Sequence, residues 1–525
     1  MLGTVDPQTE IFDADQLCGH LVADDSIHRK LAVLGDKLFT DEDFADLYDR
    51  GHGRHSVPPS LVAKILLLQS LEGTSDRETV DRVRCDLRWK VALKLALDDE
   101  GFHPTVLTYF RERLRNSKRP RRIFDRFKEV ATEVGLLTAR GVRVLDSTPV
   151  LSAVQTQDTV SLIRGAIRRL MVLMAKADPQ IKAALQAALV RDDYDSTGKP
   201  AIDWDDEDAR AGLVDELVRD ALGALGVLEG KQLSDDVKDA AELLAAVAGQ
   251  DVEADDEGRF RIRRGVAKDR VISSIDPDAR HGHKSSHGGF DGYKAHVAVD
   301  PDTELVTEIE VTPANVKDAG PIDELLPEID DKEDGADGAL MVVADSAYGS
   351  GSTRQALQER GVDVVAKALP EKNSHGGFPK SAFDIDIEAK TVTCPAGVTT
   401  TKVSARSKGT TWLQFPAEAC NACALKDRCT SSPNGRSITI GPHESLLTEA
   451  RAFQRSAEFK VIYNSKRPTV ERVIYRIVRN GGRKARYRGR VKVSEQMRMK
   501  AAVENLARML RLGLVWIADR GWALT

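Results

Sequence analysis

The segment from Ala339 to Ala344 is an unbroken apolar run that ends at Asp345. So short a run lacks the alternation of a half-wet strand, so as a strand it must be covered on both faces. Ser346-Ala347-Tyr348-Gly349 then turns into a helical stretch, Ser352 to Arg360, and Val362 to Ala366 supplies a second apolar run. Strand, helix, strand is a βαβ unit, which fixes two parallel strands and a helix packed on their sheet. Gly141 to Val150 reads as a further strand through Val142, Val144 and Leu145, expected to stop at Asp146-Ser147-Thr148-Pro149. In Gly292 to Asp300, Tyr293, Ala295, Val297 and Val299 alternate with Lys294, His296, Ala298 and Asp300. Turn chemistry at Asp300-Pro301-Asp302-Thr303 returns the chain through Leu305, Thr307, Ile309 and Val311 as a hairpin. The fold class is therefore α/β with a mixed sheet.

Helical patterns surround this sheet. Pro58-Pro59 opens the Leu- and Ile-rich stretch Leu61 to Leu71, as suits a first helical turn. Ser75-Asp76-Arg77-Glu78 is a capping box for a helix carrying Val80, Val83, Leu87 and Val91. A third helix starts near Pro104 with Val106, Leu107, Phe110 and Leu114 on one face, and with Arg111, Arg113 and Arg115 around its end. Two readings share these residues: a helix-turn-helix DNA-binding module, or a three-helix core decorated with arginines. Asp158 to about Gln250 is again helical, broken by the acidic run Asp203 to Asp208.

Charge divides the chain. The total of 76 basic against 82 acidic residues gives −6. Residues 191–258, however, hold 6 basic against 21 acidic, while 451–525 hold 19 basic against 5 acidic and 111–128 hold 9 against 2. Two basic segments around an acidic one favour a polyanionic partner despite the negative total. No run of about 18 apolar residues exists to span a membrane, and the acidic first thirty residues do not fit a secretion signal. A cytoplasmic protein is expected, associated with the nucleoid when DNA is bound.

After Pro468, Val470, Val473, Ile474, Ile477 and Val478 form one helical stripe with Glu471 at its edge. Tyr463, Arg467, Glu471 and Tyr475 are each four apart, with Pro468 expected to kink or break the helix between them. Asp146 and Asp345 at the ends of strands, with Glu471 on a flanking helix, would offer the oxygen ligands that hard divalent cations require. Two such ions suit phosphoryl displacement.

In these residues the chain resembles bacterial insertion-sequence transposases of the Asp-Asp-Glu type. The likeness rests on Val144-Leu145-Asp146-Ser147-Thr148, on Val343-Ala344-Asp345-Ser346-Ala347-Tyr348-Gly349, and on Tyr463, Arg467 and Glu471. It is nearest to the branch called eleven-eighty-two, marked by a Tyr-Arg-Glu-Lys signature, and Val57 through Leu114 resembles that branch's N-terminal helical domain. Three residues rather than two separate Tyr463 from Arg467, and Val478 stands where the signature has Lys, with Arg479 next to it. The resemblance implies a ribonuclease-H-like core and a catalytic triad of Asp146, Asp345 and Glu471 holding two Mg²⁺ or Mn²⁺ ions. Tyr463 and Arg467 would contact DNA, and Arg479 would take the place of the signature Lys. Cleavage and strand transfer at terminal inverted repeats would be the activity, with a homodimer on DNA. The separations of 199 and 126 residues between the acids require insertions. Other outcomes are a nuclease or resolvase of the same fold, or a domesticated DNA-binding protein.

Four of six cysteines, Cys394, Cys420, Cys423 and Cys429, fall in one segment. In a cytoplasmic chain that pattern favours a structural tetrahedral Zn²⁺ over disulfides, unligated thiols or redox use, with Trp412 and Arg436 in the same insertion as DNA contacts. His281, His283 and His287 lie in a Gly-rich loop and are read as phosphate contacts or mobile residues rather than metal ligands, and Lys294 is a candidate DNA contact. The expected layout is an acidic segment 1–56, a helical DNA-binding domain 57–140 and catalytic core at 141–157 and 269–369. An acidic helical insertion occupies 158–268 and a Cys-rich insertion 370–445. The catalytic helix with a basic DNA-binding segment closes the chain at 446–525.

Overall fold

The computed structural model describes all residues except 6–11, 50, 52, 139, 197, 285–287, 327–339, 372–376 and 408, and the side chains at 404–406 also lie outside the described set. Ala339, the first residue of the apolar run, and His287 fall outside the described residues.

Helix α1 (Ile27–Leu38) precedes α2 (Pro59–Glu72). In α2, Val62, Ala63, Ile65, Leu66, Leu67 and Leu68 are all buried, and a helix apolar all round must sit inside a domain. Pro59 occupies its first turn and Gly73 ends it in the left-handed conformation. Helix α3 (Asp76–Cys85) carries both halves of the expected capping box, the Ser75 hydroxyl accepting from the Glu78 N–H and the Ser75 N–H donating to Glu78. Helices α4 (Leu87–Leu93), α5 (Thr105–Arg115) and α6 (Arg122–Glu133) complete the N-terminal unit. Leu31, Leu34, Leu38, Phe39 and Phe44 share one core with α2 through α6. Residues before 57 are therefore part of the helical unit and not a separate acidic segment.

Strand β1 (Val142–Leu151) begins the sheet. Between it and β2 (Arg280–Lys284) lie α7 (Thr159–Ala177), α8 (Pro179–Ala188), α9 (Glu207–Leu228) and α10 (Asp235–Gln250). These four helices enclose a core of their own, including Leu162, Leu217 and Leu244. The insertion leaves and rejoins the sheet at one place, where the Gln157 N–H donates to the Ile272 carbonyl.

The sheet continues with β3 (Gly288–Val299), β4 (Val306–Pro313), β5 (Leu340–Ala344) and β6 (Val362–Ala366). Its order is β4-β3-β1-β5-β6, with β2 paired to the first part of β3. β1 runs antiparallel to β3 and parallel to β5, β3 antiparallel to β4, and β5 parallel to β6. Helix α11 (Gly351–Glu359) supplies the crossover between the last two strands. The Asp300 carboxylate closes the β3–β4 turn by accepting from the Asp302 and Thr303 N–H groups. His281 and His283 belong to β2, a strand and not the expected loop. β1 also departs from expectation: it runs on past Asp146 because β3 is long enough to pair with Ser147 through Leu151. Pro149 is accommodated there, where β5 no longer lies on the other side.

A Cys-bearing unit follows, with strands β7 (Thr391–Thr393), β8 (Thr410–Gln414) and β9 (Ser437–Ile440). Then α12 (Glu444–Arg455) leads to α13 (Ala457–Ile477) and α14 (Arg490–Arg511). Side chains alternate across the sheet. Val144, Val343, Tyr293, Ala295 and Val297 pack with α13 and α14. Leu145, Ala298, Val342 and Ala344 pack on the opposite face with Ile322 and Leu357. Val493, Met497, Ala501 and Leu506 of α14 are in the same core as the N-terminal helices, so α14 is the common wall of the helical unit and the sheet.

Candidate active site

The parallel register pairs Val144 with Val343 and Leu145 with Ala344. Asp146 and Asp345 follow next, side by side at the end of that pairing. Period-two alternation puts both on the face shared by Val144 and Val343, the face covered by α13. That helix is continuous from Ala457 to Ile477 with Pro468 inside it. The expected break at Pro468 is thus absent, and Tyr463, Arg467, Glu471 and Tyr475 fall along one side of a single helix. Val470, Val473 and Ile477 are buried beneath it.

Arg467 joins two of the three acids. Its Nη2 donates to Asp146 Oδ2 at 2.8 Å and its Nη1 lies 3.5 Å from Glu471 Oε1. Burial, reinforced by the Asp146 charge, pushes the Asp345 carboxyl above the usual carboxylate range. Burial works against the Arg467 charge, but Asp146 and then Glu471 outweigh it and hold the guanidinium above its ordinary value. The Glu471 side chain is 61% exposed. Consistent with that outward carboxylate, no group of three or more His, Cys, Asp or Glu among the described residues converges to hold a metal ion.

Tyr463 stacks on Phe459 with ring centroids 5.3 Å apart, and the Lys367 ammonium sits 4.8 Å above the Tyr463 ring. Lys367 was not anticipated, although its place just beyond the C-terminal end of β6 is where parallel sheets bind ligands. Asp318 was also missed. It pairs with Lys294 at 2.8 Å, and its charge acts on Asp345 and on the fully buried Tyr348.

Several expected contacts stand elsewhere. Lys294 is buried, on the sheet face opposite the triad, with its ammonium donating to Asp318 and to the Val316 carbonyl. Its alternation with Tyr293 and Ala295 sends it away from α13. Arg111 is bound to Asp76 and Gln69, and Arg115 forms a two-pronged pair with Glu495 at 2.7 and 2.9 Å. These arginines tie the N-terminal unit together and to α14. Arg113 is exposed and lies over the Tyr48 ring. Arg479 is exposed in the turn after α13. His281 pairs with Asp291, and Lys284 donates to the Ser147 carbonyl at 2.7 Å.

The four cysteines are free thiols that line one cavity of about 30 Å³ with Phe378 and Phe415. The Leu425 N–H donates to Cys423 Sγ at 3.4 Å. Burial raises the Cys429 thiol, and the other three cysteines add to the shift. Arg436 donates to the Cys429 and Phe378 carbonyls. Trp412 is half-buried on β8.

Two family models match the chain. Residues 393–510 match "Transposase DDE domain" and residues 17–113 match "Transposase domain (DUF772)". Both segments are thus similar to transposase families, which supports the resemblance to an insertion-sequence DDE transposase. The first match contains Glu471 and the four cysteines, and the second begins well before residue 57, in line with the packing of α1. No match was found among curated proteins or among solved structures. No described helix of the protein is long and apolar enough to cross a membrane.

Proposed function

We propose that Asp146, Asp345 and Glu471 are the catalytic triad of a ribonuclease-H-like core that cuts transposon ends and joins them to target DNA. The observation that carries this reading is that Arg467 pairs with both Asp146 and Glu471, while the parallel register of β1 and β5 sets Asp345 beside Asp146. The strand order and directions support the fold assignment. Carboxylates are the donors Mg²⁺ or Mn²⁺ prefers, and the charge of Asp146 acting on Asp345 would be relieved by a bound cation. When bound, two such ions supply an activated attacking oxygen and stabilisation of the leaving oxygen.

The chain's own groups set the geometry. β1 and β5 fix the two aspartates in register, and α13 brings Glu471 across the sheet. Arg467 offers a planar fork suited to phosphate oxygens, while Tyr463 and Lys367 border the approach and Arg479 extends the basic edge. Water would act first, exposing a 3′-hydroxyl at a terminal inverted repeat, and that hydroxyl would then attack target DNA. Pairing of two ends implies two protomers on DNA. The reading places the chain in the branch with the Tyr-Arg-Glu-Lys signature, with Arg479 in the place of the Lys. The four cysteines would hold one structural Zn²⁺, four thiolates leaving no open position for chemistry; metal analysis of the purified protein should return about one equivalent.

The test is divalent-ion-dependent cleavage of a duplex ending in the element's own inverted repeat. Asp146→Ala, Asp345→Ala and Glu471→Gln should each abolish cutting and leave DNA binding in place. Wild-type cutting by any of them would refute the triad. Capture of the cut end in a target plasmid separates transposition from simple nuclease action.

A further inference from the structure

Arg467 sits at the one point where charge of both signs meets inside the triad. Its side chain is 10% exposed, and only one of its terminal nitrogens makes a hydrogen bond, to Asp146. Nε is buried without a hydrogen-bond partner, and Nη1 makes no hydrogen bond but faces Glu471 at 3.5 Å. Buried guanidinium donors are ordinarily satisfied, so this fork is only partly engaged. The carboxylate it does hold is one that the metal-binding reading of the triad requires. Glu471, one helical turn on, is drawn to the same guanidinium and stays outward.

We propose that Arg467 is a stand-in cation and positioning residue: it neutralises Asp146 in the metal-free enzyme and must give up that carboxylate when divalent ions bind. The exchange frees the partly engaged fork for an anionic oxygen of the substrate. Arg467 and divalent metal therefore compete for Asp146. This rests on the triad being a metal site and adds a cost to filling it.

The experiment is Mn²⁺ binding to the full-length, DNA-free protein, read by electron paramagnetic resonance of free Mn²⁺ and by the Mn²⁺-induced rise in the unfolding midpoint. Arg467→Met removes the competitor, so Mn²⁺ should bind tighter by about tenfold or more, and the midpoint should rise further than in wild type. Arg467→Lys keeps the charge but loses the fork and should tighten binding by a smaller factor; it carries the test if the Met variant does not fold. Asp146→Asn should remove the binding in either background. Unchanged or weaker Mn²⁺ binding by the Arg467 variants, with Asp146-dependent binding intact in wild type, overturns the competition alone. Absence of Asp146-dependent binding in wild type and in the variants overturns the metal site and the competition with it. A purely structural Arg467 would lower the midpoint without moving Mn²⁺ affinity.

Discussion

The acidic insertion and the basic C-terminal segment carry opposite charges of similar size, yet the fold treats them differently. In residues 451–525 at least eleven of the 19 basic side chains have partners within the protein. Glu304, Glu310 and Glu504 collect several of them. The insertion's acids instead face water, as with Asp205, Asp206, Glu207 and Asp208, and with Asp235, Asp236 and Asp239. Asp220 and Asp251 are buried exceptions: Asp220 accepts from the Val190 and Arg191 N–H groups and from the Tyr194 hydroxyl, and Asp251 pairs with Arg270 at 2.6 Å. A segment's net charge thus says little about how much of it remains for a partner. The C-terminal segment is first the wall between the helical unit and the sheet, and DNA can meet only what is left over.

The contrast is broken most severely by ending the chain after Asn480. That removes α14 with Val493, Met497, Ala501 and Leu506 from the shared core, so cooperative unfolding and near-ultraviolet circular dichroism should be lost. A folded truncation with only a flatter salt dependence of DNA binding would show a dispensable arm instead.

A smaller break is Arg476→Ala. Arg476 pairs with Glu304 at 2.9 Å and with Glu504, whose side chain is 6% exposed. Leaving that carboxylate buried and unpaired should cost about 3–5 kcal/mol in denaturant unfolding; a cost below about 1 kcal/mol would mean the network is slack.

Lys500 sharpens the same point through pH. Burial, helped by Arg486, lowers its ammonium from 10.5 to about 8, and the group donates to the Ser70 carbonyl. Below about 8 both folded and unfolded chains hold the proton and the full penalty is present. Between about 8 and 10.5 the unfolded chain alone holds it, so this group's contribution to stability rises with pH. Relative to Lys500→Met, the wild type should gain up to about 3 kcal/mol across that window. A flat difference would place the charge in a wetter site.

The smallest effect belongs to the insertion surface. Arg261 meets Glu253 at 3.2 Å with both side chains about half exposed. Arg261→Ala should shift stability by less than about 0.5 kcal/mol, and a larger change would reveal a pairing that water does not screen.

Much of the site was legible because it follows local rules. The apolar runs ending at Asp345 and near Asp146 mark strands through side-chain period alone, and the stripe around Glu471 marks a helix edge. The capping box at Ser75 and the turn at Asp300 were readable for the same reason. What misled was context. Pro468 is tolerated within α13, whose stripe is packed against the sheet on both sides of it. Lys294 reads as a possible partner for DNA until β3 is seen to be covered on both faces, where only an ion pair with Asp318 can hold its charge. Arg111 and Arg115 look available until Asp76 and Glu495 are brought to them from outside their helix.

The sequence by itself determined the elements, the two aspartates at neighbouring strands and the helix that bears the glutamate, since periodicity and turn chemistry act within a few residues. Only the tertiary structure decided that Arg467 reaches Asp146 across 321 residues of chain, that much of the basic tail's charge is paired within the protein, and that Leu31, Leu34, Leu38, Phe39 and Phe44 complete the core of the helical unit. Those outcomes depend on which buried charges find partners and which apolar faces find cover. Both are settled by the packing of distant segments.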